Sequence, residues 1–180
     1  MKIVPAILVG TFAEFEQQVK KVENLFEYVQ VDIMDGKFVN NTSFSEIEKI
    51  NEIDVKLKYE LHLMVEDPLT EIEKWKDVKN VFRVIFHIES KCNSAKVINK
   101  IKENNWQVGI AINPDTPISE IEPYYEYTDM ILFMTVVPGK QGGKFIPEVG
   151  EKIKKLNNLE HKPVIAVDGS INTNTIVEVR

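Results

Sequence analysis

The feature that most constrains this chain is a rhythm. Short apolar runs at Lys2–Leu8, Tyr28–Met34, Lys58–Val65, Arg83–His87, Gln107–Ile112, Met130–Val136 and Val164–Asp168 alternate with amphipathic, charge-rich segments. The runs read as strands. The segments between them read as helices, most clearly Phe12–Glu23, where Phe12, Phe15, Val19 and Val22 recur at spacings of three and four. Leu69–Trp75, Ala95–Ile101, Ile118–Tyr125 and Glu148–Leu156 follow the same pattern. Asp67-Pro68 and Asp115-Thr116-Pro117 look like helix starts, an N-cap residue followed closely by proline. Strand and helix alternating in this way imply βαβ units and a parallel sheet.

Two parallel architectures fit, the open doubly wound sheet and the closed eightfold barrel. The open nucleotide-binding form usually carries GxGxxG after its first strand, whereas here the first strand runs into LVGTF. Polar residues at strand ends favour the barrel, which draws its catalytic groups from the C-terminal ends of several strands. No low-complexity linker or composition shift interrupts the 180 residues, so one barrel domain over 1–180 is expected. A net charge of −6 argues against nucleic acid or an anionic membrane as partner. A small anionic ligand remains compatible, because backbone dipoles can hold it. A single cysteine, Cys92, fits a reducing compartment. The N-terminal run IVPAILVG is far short of the ~20 residues of a membrane span and lacks the form of a signal peptide. A cytoplasmic location is therefore expected.

The second run reads YVQVDIMDG. Val29, Val31 and Ile33 share one face, and Gln30, Asp32 and Met34 share the other. Other strand ends repeat the polar pattern: His62 and Met64, His87, Leu132 and Met134, Ala166 and Asp168. A closed barrel brings these ends into one ring. A carboxylate inside an apolar strand costs roughly several kcal/mol unless partnered, so Asp32 and Asp168 point to function. The methionines read on their own as core filler, and Asp35-Gly36 as turn chemistry. His62 and His87 read equally as site residues or as satisfied buried histidines. The loop VVPGKQGGKFIP offers Gly139, Gly142 and Gly143, with Asp168-Gly169-Ser170 at the next strand end. Glycine amides near a helix start make an anion site, and barrel enzymes often hold phosphate near their last two strand loops.

The segments VDIMDGKFVNNTSF, LHLMVEDP, INPDTP, MTVVPGKQGGKFIPEV and VDGSIN resemble, in order and spacing, the signature segments of the ribulose-phosphate 3-epimerase family. The likeness runs from Pro5 to the C-terminus. Related decarboxylases carry DxKxxD on an early strand, but here Asp32 precedes Ile33-Met34-Asp35. The resemblance implies a TIM (β/α)8-type barrel of the ribulose-phosphate-binding kind. It implies an isomerase of the pentose phosphate pathway that interconverts ribulose 5-phosphate and xylulose 5-phosphate by moving a proton at C3. Asp32 and Asp168 are then the acid/base pair. A divalent metal ion (zinc, iron, manganese or magnesium) would be held by them, by His62 and by position 30, stabilising an enediolate. Met34, Met64 and Met134 would cap the planar intermediate. Gly139, Gly142, Gly143, Gly169 and Ser170 would form the phosphate side. The partner is a small sugar phosphate, and the family's habit implies a homo-oligomer. The chemistry is consistent: a carboxylate of pKa near ~4 is a poor base for a carbon acid, and two adjacent carboxylates repel unless a cation separates them.

Three departures from the family pattern carry expectations. Gln30 stands where the family has a second ligand histidine; an amide oxygen is a harder ligand, shifting preference toward magnesium or manganese or emptying the site. Pro5-Ala6-Ile7-Leu8 replaces PSIL, removing a substrate-facing hydroxyl, and GKQGGKF replaces GFGGQKF. After Val164–Asp168 only a helix start, Asn172–Val179, follows. Eightfold barrels rarely fall below ~200 residues, so the final βα unit is expected to be lacking. Two alternatives follow: a degenerate, non-catalytic sugar-phosphate binder, and an epimerase acting on a hexulose 6-phosphate.

Overall fold

A computed structural model describes residues 2–157 and 163–179. Seven strands lie in one parallel sheet in chain order: β1 (Ala6–Ile7), β2 (Tyr28–Met34), β3 (Lys58–Met64), β4 (Val81–His87), β5 (Gln107–Ile112), β6 (Met130–Met134) and β7 (Val164–Asp168). The α-helices among the described residues are α1 (Phe12–Val22), α2 (Pro68–Trp75), α3 (Ser94–Glu103) and α4 (Val149–Asn157). The sheet curls back on itself. Four strands lie between Gln30 on β2 and Asp168 on β7 in sheet order, yet the Gln30 amide N–H donates to Asp168 at 2.8 Å. This is the wall of a TIM-type barrel. Among the described residues, β1 and β7 each pair on one side only. A cavity of about 1320 Å³ opens beside them, lined by Ile3, Ala6, Leu132, Val164 and Ile176.

Local chemistry sets the helix starts. Thr11 and Glu14 form a capping box on α1, the Thr11 hydroxyl accepting from the Glu14 N–H and the Glu14 carboxylate accepting from the Thr11 N–H. Asp67 caps α2 through the N–H groups of Leu69 and Thr70, with Pro68 in the first turn, as its sequence predicts. The helices bury Phe15, Val19, Ile72 and Trp75 against the outer face of the sheet, where Val29, Val31 and Ile33 lie. The opposite face fills the barrel interior, where Ile85, Ala111, Leu132 and Met134 pack together. Lower in the interior, Glu60 pairs with Arg83, whose Nε donates to Gln107 at 3.1 Å. Burial pushes the Glu60 carboxyl above its usual range, although Arg83 pulls the other way.

Some expected elements differ. The first strand pairs only at Ala6–Ile7, with Gln30 and Val31; Pro5 has no N–H to give, though its carbonyl accepts from Gln30. The helix expected over Ile118–Tyr125 is instead two 3-10 segments, Ile118–Glu120 and Glu122–Tyr127. Pro123 lies in the middle of that stretch and removes an α-helical donor. The expected helix start at Asn172–Val179 is a single 3-10 segment, Ile176–Val179.

Asp35 ties two loops at the C-terminal end of the barrel. Its Oδ1 accepts from the N–H groups of Lys37 and Phe38, at 2.8 and 2.9 Å, and its Oδ2 accepts from Glu66 N–H at 2.8 Å. Burial alone would raise its pKa, but these donors hold it below the usual carboxylate range. The folded value lies below the unfolded one, so the stabilisation is present above about pH 4 and fades as pH falls through the lowered value. Asp35→Asn is expected to cost roughly 1–2 kcal/mol at neutral pH. Denaturant midpoints should show that gap narrowing as the solution is acidified.

Candidate active site

The register of the strands assembles the site. Asp32 pairs with His62 across β2 and β3, Met34 with Met64 across the same strands, and Met134 with Asp168 across β6 and β7. Because β7 curls toward β2, the two aspartates face one another at the barrel mouth. The carboxylates and the His62 ring each offer one donor atom, and all three atoms lie within 4.8 Å of one another. His62 Nδ1 is 3.1 Å from Asp32 Oδ1 and 3.5 Å from Asp168 Oδ2.

Gln30 occupies the centre of this group. Its amide nitrogen donates to Asp32 Oδ1 at 2.9 Å and to Asp168 Oδ2 at 2.8 Å, so one NH2 group bridges both carboxylates. The nitrogen, which cannot ligate a cation, faces the carboxylates; serving as a ligand through Oε1 requires a half-turn of the amide. Asp168 is part-buried, with a side chain 23% exposed. Burial above all, joined by the nearby Asp32 charge, raises its pKa, while His62 and the Gln30 donor oppose the rise. For His62, burial favours the neutral ring. The hydrogen bond to Asp32 and the charges of Asp32, Asp168 and Glu60 outweigh it, and the pKa is raised.

A cavity of about 160 Å³ lies over these groups. Met34, Met64 and Met134 line it, and so does Ala6. Its opposite wall is the loop after β6, with Gly139, Gly142 and Gly143, beside Gly169 and Ser170 after β7. The backbone there needs glycine. Gly169 has φ +117°, and a Cβ on it would lie 2.5 Å from Val136 Cγ2. Gly139 has φ +111° and packs so closely on Val39 that a Cβ would lie 2.9 Å from it. The Ser170 hydroxyl donates to the Gly143 carbonyl, joining the two loops.

Several neighbours are not evident from single strands. Thr135 is fully buried and donates its N–H to the Asp168 carbonyl at 2.7 Å, fixing β7 beside β6. Lys140 is the one lysine or arginine lining the cavity among the described residues. Glu89 stands two residues beyond His87 and is 3.2 Å from its Nδ1; the same two-residue offset that links His62 to Met64 was its signal in the sequence. Phe38, from the loop after β2, covers His87 with ring centroids 4.8 Å apart. Asp35 points to loop amides rather than into the group.

The donor set fits a divalent cation. Asp32, His62 and Asp168 offer two carboxylate oxygens and an imidazole nitrogen converging from three strands, a mixed oxygen and nitrogen set suited to first-row metals. No helix of the described residues is long and apolar enough to cross a membrane.

The family model described as "Ribulose-phosphate 3 epimerase family" matches residues 2–180. Among curated relatives, the ribulose-phosphate 3-epimerase of Methanocaldococcus jannaschii is 34% identical, over 97% of this chain and 76% of that protein. The enzyme of the same name from Bacillus subtilis is 33% identical, over 97% of this chain and 83% of its own length. A relative from Oryza sativa, named as the cytoplasmic isoform of ribulose-phosphate 3-epimerase, is 32% identical, over 97% of this chain and 79% of its own. A match running along the whole sheet, from before the first strand to beyond the last, makes this chain a member of the ribulose-phosphate 3-epimerase family.

Proposed function

We propose that the chain interconverts ribulose 5-phosphate and xylulose 5-phosphate, with Asp32 and Asp168 exchanging the C3 proton. The observation that carries this is the pair of carboxylates from β2 and β7, close enough for one amide nitrogen to bridge them at 2.9 and 2.8 Å. One carboxylate takes the C3 proton, and the electron pair moves onto the C2 oxygen to give an enediolate. The other, in its acid form, returns a proton to C3 from the opposite face, inverting that centre. The proton gained is not the proton lost, so the pair ends with its protonation states exchanged and resets through solvent.

The remaining residues support this chemistry. The thioethers of Met34, Met64 and Met134 wall the cavity without hydrogen-bonding a planar intermediate, and they exclude water from the carboxylates. Backbone N–H groups of Gly139, Gly142, Gly143, Gly169 and Ser170 are the phosphate side, with Lys140 at the rim. A divalent cation held by Asp32, His62 and Asp168 would supply Lewis-acid polarisation of the substrate oxygens. The cytoplasm is the proposed location, consistent with a lone free thiol at Cys92.

A second reading rests on Gln30. Its bridging amide satisfies both aspartates without a cation, which suits a protein that binds sugar phosphate without turnover. Solvent-deuterium exchange at C3 of ribulose 5-phosphate, run with zinc, iron, manganese and magnesium in turn, separates the two. Folded wild-type protein that exchanges nothing with any metal ends the epimerase proposal. Competition between pentulose and hexulose phosphates then sorts substrate length.

Two outcomes are expected. Asp32→Asn and Asp168→Asn should each lower epimerisation by about 10²–10⁴-fold, measured by conversion of either epimer. Gln30→His should raise affinity for zinc more than for magnesium, because imidazole is the softer donor; metal titration by calorimetry measures it.

A further inference from the structure

His62 is not held by the aspartates alone. Its Nε2 lies 2.9 Å from Nε2 of His87, and both rings are fully buried. The rings are near-parallel, with centroids 5.1 Å apart and planes 23° apart. Nδ1 of His87 lies 3.2 Å from Glu89 Oε2, and the other oxygen of Glu89 accepts the N–H of Asn113 at 2.8 Å. The chain of contacts therefore runs from the aspartate pair, through two imidazoles, to a carboxylate anchored on the loop after β5. That loop is itself gripped from α4, since Lys152 Nζ donates to the carbonyls of Asn113 at 3.2 Å and of Thr116 at 2.6 Å.

Hydrogen-bond bookkeeping orders the chain. An ionised carboxylate only accepts, so Nδ1 of His87 carries a hydrogen for Glu89. A neutral His87 then has a bare Nε2, which can only accept. Two facing Nε2 atoms share one hydrogen, so it resides on His62. With Nε2 committed in this way, His62 turns Nδ1 toward Asp32 and Asp168. The surroundings agree: the His87 ring is fully buried, which favours its neutral form. Burial acts to raise the pKa of Glu89, but donors from His87, Thr116 and Asn113 outweigh it and keep it ionised.

We propose that His87 and Glu89 are positioning residues that fix the tautomer and ring orientation of His62, so that its Nδ1 is the atom presented to the aspartate pair and to a divalent cation there. They touch neither the reacting carbon nor its proton. The metal part of this proposal rests on the proposed function; the tautomer part does not. Partners one step behind a metal-binding histidine typically set metal affinity by 10–100-fold.

The test uses the full chain, whose three histidines are His62, His87 and His161. Long-range ¹H–¹⁵N spectra near neutral pH report which ring nitrogens carry hydrogen. The expected result is His87 protonated at Nδ1 and bare at Nε2, with His62 protonated at Nε2. Glu89→Gln should abolish the single tautomer of His87, because an amide can donate as well as accept, and should weaken zinc binding about 10-fold or more. A wild-type spectrum with His87 protonated at Nε2 overturns the proposal. So does a Glu89→Gln variant that keeps both the tautomer and the zinc affinity. If that variant does not fold, the wild-type spectrum decides alone. Wild-type protein that takes up no zinc ends the metal part of the proposed function, while the ring nitrogens still give their answer.

Discussion

Asp32 and Asp168 are two carboxylates that the curl of the sheet forces together, and much of the structure answers that repulsion. Two unit charges ~4–5 Å apart repel by roughly 3–4 kcal/mol at an effective dielectric near 20. The chain meets the charges with donors from three directions. The Gln30 amide reaches both carboxylates, the His62 ring faces both, and the backbone of Gly169 bonds Asp168. Each donor comes from a different strand or loop, so the arrangement exists only when β2, β3 and β7 are all in register. The polar centre thus depends on barrel geometry rather than on any local segment.

Much of this was legible in the sequence. The strand runs lie within a few residues of the observed strands because burial on both sheet faces makes them continuous apolar stretches. Polar residues at two-residue offsets revealed which groups share a face, and Asp32, His62 and Asp168 do converge. Less legible was whatever depended on the other end of a contact. Nothing around Glu60 announces that Arg83 will meet it across β3 and β4, and nothing around Glu89 announces Asn113. The helix expected at Ile118–Tyr125 was lost to Pro123, whose missing donor was visible in the sequence but was outweighed by the spacing of apolar residues. Asp35, by contrast, takes the turn role that its Asp-Gly pairing suggested, and its three amide partners give the reason.

At Gln30 the amide acts as a neutral bracket between two acids. It has the two hydrogens needed for two acceptors, and a lone imidazole N–H does not. The Gln30 amide therefore holds both carboxylates by hydrogen bonds from the protein itself.

Below the site, the Glu60–Arg83 pair has a consequence for how this sequence can drift. Glu60 is almost wholly enclosed, with a side chain 4% exposed, and Arg83 is mostly so at 16%. Losing either partner alone strands a charge in the barrel interior, which is far costlier than never having had the pair. Lysine is a poor stand-in for Arg83, because only the planar guanidinium fork reaches Glu60 and Gln107 together. Replacing one partner alone is therefore costlier than replacing both with apolar residues of similar volume.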